Sequence, residues 1–86
     1  MMDRMDEQDA NESENRLQWY RKQIELNPRS TMARYKLGQL LARLGRHEEA
    51  VVQLKNVIAI DSNHLAARQA LQEVLSQMES GKNLGS

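Results

Sequence analysis

Residues 31–64 read TMARYKLGQLLARLGRHEEAVVQLKNVIAIDSNH, and the flanking residues repeat this segment with a shift of 34 positions. Leu17, Tyr20 and Ile24 align with Val51, Leu54 and Ile58, and Ala33, Leu37 and Leu41 align with Ala67, Leu71 and Leu75. A fixed period of this length is typical of stacked structural units, each too small to bury its apolar face alone. Such stacks usually bind other molecules and rarely catalyse reactions.

The apolar residues recur at helical spacing and predict four helices. These helices are expected from about Ser13 to Leu26, from just after Ser30 to Leu44, from about His47 to Ile60 and from about His64 to Glu79. We expect Pro28, Gly45 and Gly81 to end helices, and Asp61-Ser62-Asn63 to supply a turn and a cap. Short joints make neighbouring helices antiparallel. The predicted fold is therefore an all-α antiparallel helix–turn–helix stack.

Charge is unevenly distributed along the chain. Residues 1–14 carry six acids and one Arg, whereas residues 15–47 carry eight Lys or Arg and one acid, Glu25. We expect residues 1–12 to be a flexible acidic tail, residues 13–80 to form the helical domain and residues 81–86 to be a second flexible tail. The asymmetry allows two interpretations: an acidic segment of a partner, or the acidic tail lying on its own basic body.

Length and composition exclude several classes of protein. Eighty-six residues make one small domain at most, and the formal net charge of zero argues against general nucleic-acid binding. No apolar run is long enough for a signal peptide or a membrane span, so we expect a cytoplasmic location. The sequence is also compatible with a piece of a longer protein.

The chain lacks the motifs of catalysis and metal binding. Its only histidines, His47 and His64, each precede or start a helix without a second ligand four residues on, and cysteine is absent. A metal site needs three or four converging ligands. No nucleophile motif, phosphate loop or pair of carboxylates is present. We therefore expect no metal, no cofactor and no enzymatic activity.

With its period of 34 residues, the chain resembles a tetratricopeptide repeat protein, whose unit is a helix–turn–helix of 34 residues. Leu37 and Gly38 stand at the Leu-Gly pair of the first helix, Gly45 at the turn, Ala50 at the small position of the second helix, and Leu54 where an aromatic residue is usual. The resemblance covers roughly residues 16–79 and implies one whole repeat flanked by two half-repeats. The small residues Gly38 and Ala50 are expected to let the backbones of the two helices approach closely.

Several positions depart from the family pattern. Arg34, Leu41, Val57 and Ser62 stand where Trp, Tyr, Ala and Pro are common in the family. The order of the half-repeats suggests that the last helix of one chain could pair with the first helix of the next. Gln72 and Arg16, however, stand where Gly38 and Ala50 stand in the whole unit, and a close crossing there would bury a guanidinium. We therefore expect helix 4 to be a solvating cap and expect no head-to-tail polymer.

The resemblance implies that the first helices of successive units line a groove for a peptide or helix of a partner protein. The stripe expected to face it comprises Met32, Tyr35, Gln39, Ala42 and Arg43 on helix 2 and Ala66, Gln69, Glu73 and Ser76 on helix 4. The alternative is an ordinary solvated helix face. A chaperone C-terminal carboxylate is not expected as the ligand, because Tyr35 and Gln39 replace the Lys and Asn of that clamp.

Two further surfaces are candidates for binding. Trp19 is the only tryptophan and lies off the apolar stripe of helix 1, which suggests homodimerisation through that helix. The alternative is that Trp19 packs on its own helix or on the Met-containing tail. The basic residues from Arg16 to Arg46 form either a weak nucleic-acid surface or ordinary solvated charge.

Overall fold

A computed structural model of the chain describes the backbone of residues 2–85 and the side chains of residues 12–80. Four helices follow one another: α1 (Met2–Leu26), α2 (Thr31–Arg43), α3 (His47–Ile60) and α4 (Leu65–Gly85). No strand occurs in the described backbone. The predicted all-α stack of four helices is thus confirmed.

The two outer helices are longer than the sequence pattern predicts. The first helix starts at Met2 rather than near Ser13, and the last continues to Gly85 rather than stopping at Glu79. Residues 2–12 contain neither Pro nor Gly, so nothing interrupts the helix there, and acids near its amino end are favoured by the helix dipole. Gly81 does not end α4, because a helical glycine costs only about 1 kcal/mol relative to alanine. Whether these ends are flexible, as expected, stays a prediction; Met1 and Ser86 lie outside the described backbone.

The joint before α2 and the joint after it have the expected chemistry. The Ser30 Oγ accepts a hydrogen bond from the Ala33 N–H at 3.2 Å and so caps the amino end of α2. Gly45 has a φ of +80°, in the left-handed region that favours glycine. It lets the chain reverse direction between α2 and α3.

The cap of α4 comes from a residue that the sequence pattern did not indicate. The Nδ1 of His64 accepts a hydrogen bond from the Ala67 N–H at 3.1 Å. The Asp61 Oδ1 accepts from the Asn63 N–H at 3.1 Å and shapes the turn itself. The segment Asp61-Ser62-Asn63 thus supplies the predicted turn, but the helix cap is an imidazole.

Each helix packs against its neighbour in sequence, and α2 also touches the edge of α4. The buried apolar residues are Leu17, Ala33, Leu37, Leu40, Leu41, Ala50, Leu54, Val57, Ala67 and Val74. The approach of α2 to α3 is close at Gly38: a Cβ added there would lie 3.0 Å from both Cγ and Cδ2 of Leu54 and 3.6 Å from the Ala50 carbonyl oxygen. Because α3 packs against both, α2 and α4 lie side by side and form a groove between them.

Candidate partner-binding groove

The groove between α2 and α4 is an open depression of about 240 Å³. Its lining residues are Gly38, Gln39, Ala42 and Arg43 from α2, Leu54 from α3, and Ala70, Glu73, Val74 and Gln77 from α4. The base is apolar, because Leu54 and Val74 are both buried. Gly38 contributes no side chain, so the leucine beneath it reaches the groove.

Four of the residues predicted to face a partner line this groove together: Gln39, Ala42, Arg43 and Glu73. Two other lining residues, Ala70 and Gln77, were not predicted from the sequence. Helical spacing could have identified both residues. Gln77 lies four residues after Glu73, and Ala70 lies four residues after the predicted Ala66, so each pair shares one side of α4.

The other predicted residues lie elsewhere. The Tyr35 hydroxyl accepts a hydrogen bond from the Gln39 Nε2 at 3.0 Å, and its half-buried ring lies 5.1 Å from the ring of His64. Met32 is 70% exposed and lines a different depression, and Gln69 is exposed outside the groove. Tyr35 therefore supports the wall of the groove, whereas Met32 is turned towards α1.

The groove presents both signs of charge. Arg43 is on the α2 wall and Glu73 on the α4 wall, and both are exposed. Within residues 12–80 neither forms an ion pair within 4.0 Å. Both charged groups are thus available to a ligand, and the Gln39 and Gln77 amides add donors and acceptors beside them.

A second depression, of about 290 Å³, lies between α1 and α2. It is lined by Trp19, Tyr20, Gln23, Ser30, Met32, Ala33 and Lys36. Trp19 is 60% exposed and contacts Tyr20 edge-to-face, with ring centroids 5.5 Å apart. Trp19 thus packs partly on its own helix and still presents a large apolar surface.

Glu49, in the first turn of α3, is the centre of an ion-pair cluster. Glu49 accepts hydrogen bonds from the Nε and Nη2 of Arg46 at 2.8 and 2.9 Å, and the Arg21 Nη2 lies 3.5 Å away. The hydrogen bond from Arg46 lowers the pKa of the Glu49 carboxyl, and the same bond raises the pKa of the Arg46 guanidinium. These groups join α1 to the α2–α3 turn.

Among the described side chains, no three His, Cys, Asp or Glu residues converge as metal ligands would. Within residues 2–85, no helix combines the length and apolar character needed to cross a bilayer.

The stack of antiparallel helices is that of a helical-repeat protein. The sequence model of the tetratricopeptide repeat family matches residues 9–86, and the chain therefore belongs to that family. The tetratricopeptide repeat is a non-catalytic module that generally mediates protein–protein interaction.

A segment of 51 residues is 43% identical to a protein O-mannosyl-transferase of Caenorhabditis elegans. The match covers 59% of this chain and 7% of the relative. The similarity is therefore limited to a short part of a much longer protein.

Proposed function

We propose that this chain is a protein-interaction module that binds a peptide segment or helix of a partner protein in the groove between α2 and α4. The proposal rests on one observation: Gln39, Arg43 and Glu73 line the same open groove. Membership of a family that generally binds proteins supports it.

The chemistry of the groove suits a short extended peptide or one face of a helix. Leu54 and Val74 give an apolar base for a ligand side chain. Arg43 offers several N–H donors to a carboxylate or carbonyl group, and Glu73 offers acceptors to an amide or a cation. Charges of opposite sign on the two walls favour one direction of the bound segment over the other.

The test is a capture experiment with the intact chain, followed by titration of the captured partner's binding segment. Arg43→Ala combined with Glu73→Ala should weaken binding at least tenfold, because both walls lose their charged contacts. The matched control is Lys55→Ala with Glu48→Ala, which removes one charge of each sign from exposed sites on α3 outside the groove. Equal binding by the groove variant and the control would refute the proposal. Tyr35 is left unchanged, since its ring contacts the His64 cap of α4.

A second candidate function is self-association through α1. It is favoured by Trp19, which is 60% exposed beside the 70% exposed Met32. Exposed tryptophans are frequent interface anchors. Sedimentation velocity over a wide concentration range should show a dimer that Trp19→Ala weakens. A monomer at every concentration would exclude this candidate.

Two expectations from the sequence remain predictions. Fractionation of cells carrying the tagged chain tests the cytoplasmic location. Titration with RNA and DNA at low salt tests the weak nucleic-acid binding, which should fall steeply as salt is added if it exists.

A further inference from the structure

A cleft between α1 and α2 brings three cations together. Its volume is about 190 Å³, and its lining residues are Arg16, Tyr20, Lys36, Gln39, Leu40 and Arg43. No acid lines the cleft. The ion pairs found within residues 12–80 involve Arg21, Lys22 and Arg46, so the three cations of the cleft form none within 4.0 Å.

The cationic cleft adjoins an apolar surface. Tyr20 and Lys36 line both the cleft and the depression that contains Trp19 and Met32. The cleft and this depression together are named the cationic face. A surface of this kind fits an acidic segment that also carries apolar side chains.

The chain itself contains such a segment. Residues 1–14 carry six acids and one Arg, and Met2 and Met5 are three positions apart, on one side of a helix. Methionine packs readily against aromatic rings such as that of Trp19. The charge of residues 1–14 is therefore complementary to that of the cationic face.

Within one molecule, α1 holds the acids of residues 3–9 apart from the cationic face, whereas Glu12 lies one turn before Arg16 on the same helix. The 25 residues of α1 form one helix about 37 Å long, whereas the 13 residues of α2 span about 20 Å. The acidic half of α1 extends past the end of α2. Because α1 is one continuous helix, no turn folds this half back onto the rest of the molecule. A contact between residues 3–9 and the cationic face must therefore come from another molecule.

We propose that the acidic amino-terminal half of α1 docks on the cationic face of a second copy of this chain. A two-fold arrangement makes the same contact twice and closes the assembly as a dimer. The inference rests on the second candidate function, self-association through α1. Gln39 and Arg43 line both the cationic cleft and the groove between α2 and α4, whereas Arg16 and Lys36 do not line the groove, so their substitution tests this inference separately. Because exposed charges carry much of the contact, the dimer is weak and salt-dependent.

Sedimentation equilibrium of the full chain at about 20 mM and about 500 mM salt tests the proposal. The dissociation constant should rise roughly tenfold at the higher salt, and Arg16→Glu combined with Lys36→Glu should raise it at least as much. The control is Arg29→Glu with Lys55→Glu, which changes net charge equally at exposed positions outside the cationic face. Circular dichroism checks that each variant remains helical.

A charge exchange makes the test specific. The variant with Asp6→Lys and Asp9→Lys should dimerise poorly alone, but should associate with the Arg16→Glu, Lys36→Glu variant in a mixture. A monomer at low salt, equal weakening by the control pair, or no association in the mixture would overturn the proposal. If Trp19→Ala abolishes the dimer while the charge variants do not, self-association stands and this inference falls. Binding of a single-stranded oligonucleotide by a monomer would assign the cationic face to nucleic acid instead.

Discussion

At the scale of single residues, Gly38 determines how closely α2 approaches α3. A Cβ added to it would lie 3.0 Å from two side-chain atoms of the fully buried Leu54. Contacts this short require Leu54 to move by a few tenths of an ångström, and Leu54 is fully buried in the core. The Gly–Ala pattern at positions 38 and 50 predicted this close approach. It could not identify Leu54 as the group in contact, because that depends on how the helices pack.

We therefore expect Gly38→Ala to destabilise the protein by up to about 2 kcal/mol. Alanine gains about 1 kcal/mol of helix propensity, but overpacking against Leu54 costs about 1–3 kcal/mol. Urea unfolding followed by circular dichroism measures the difference. Gln72→Ala, at the equivalent exposed position of α4, is the control and should be neutral or slightly stabilising. A stabilising Gly38→Ala would show that the crossing is loose.

The cap of α4 yields a second prediction. His64→Ala removes the acceptor for the Ala67 N–H and should destabilise the protein by about 1 kcal/mol. His64→Asn supplies another side-chain acceptor and should recover much of this loss, although the contact with the Tyr35 ring is removed in both variants. Equal losses in the two variants would mean that the ring contact, rather than the cap, is what stabilises this end of the helix.

The ion pair of Arg46 and Glu49 yields a pH-dependent prediction. Because the pKa of Glu49 is lowered in the folded state, its contribution to stability is present above the unfolded-state pKa and is lost as pH falls through the folded-state pKa. Carbon-detected NMR titration should show Arg46→Gln raising the pKa of Glu49 towards its ordinary value. Lys55→Gln should leave it unchanged. An unaltered pKa in Arg46→Gln would mean that Arg46 does not hold this carboxylate in solution.

At the scale of helices, periodicity predicted each element and its partner but not the ends of α1 and α4. The inner ends follow local chemistry that the sequence displays, as with Ser30 and the left-handed Gly45. The outer ends have no such signal, because polar residues continue a helix wherever nothing interrupts it. The His64 cap was missed because an imidazole is a rare substitute for the usual Ser, Thr, Asp or Asn.

The repeat also relates residues whose surroundings differ. Leu41 of α2 and Leu75 of α4 are equivalent under the shift of 34, yet Leu41 is fully buried and Leu75 is 44% exposed. Leu41→Ala should cost about 2–5 kcal/mol, whereas Leu75→Ala should cost much less. Thermal and urea unfolding of both variants measure this. Similar losses would mean that Leu75 is covered in solution and that α4 is not a solvating cap.

At the scale of the whole molecule, the stack has two different ends. Gln72 on α4 and Arg16 on α1 are both exposed, and both are larger than the Gly38 and Ala50 found at the equivalent close crossing. End-to-end growth would force these side chains together, so filaments are not expected at any concentration. A closed dimer through the cationic face avoids that crossing. The groove between α2 and α4 shares Gln39 and Arg43 with the cationic face, but its α4 wall, which contains Glu73, lies outside that face.

The sequence pattern predicted only part of the groove. Helical spacing grouped Gln39 with Arg43 and placed Glu73 opposite, but it also grouped them with Met32. Met32 and Gln39 are seven residues apart and therefore lie on the same side of α2. Because α1 and α4 flank different parts of α2, Met32 lines the depression beside α1, whereas Gln39 lines the groove beside α4. Only the packing of all four helices shows which of these residues line which depression.

Amide chemical-shift mapping with the captured partner segment tests most directly whether the groove between α2 and α4 is the binding surface. We predict that the largest shifts fall on Gln39, Arg43, Glu73 and Gln77 and are lost in the Arg43→Ala, Glu73→Ala variant. Large shifts confined to α1 and α3, unaffected by that variant, would contradict the account.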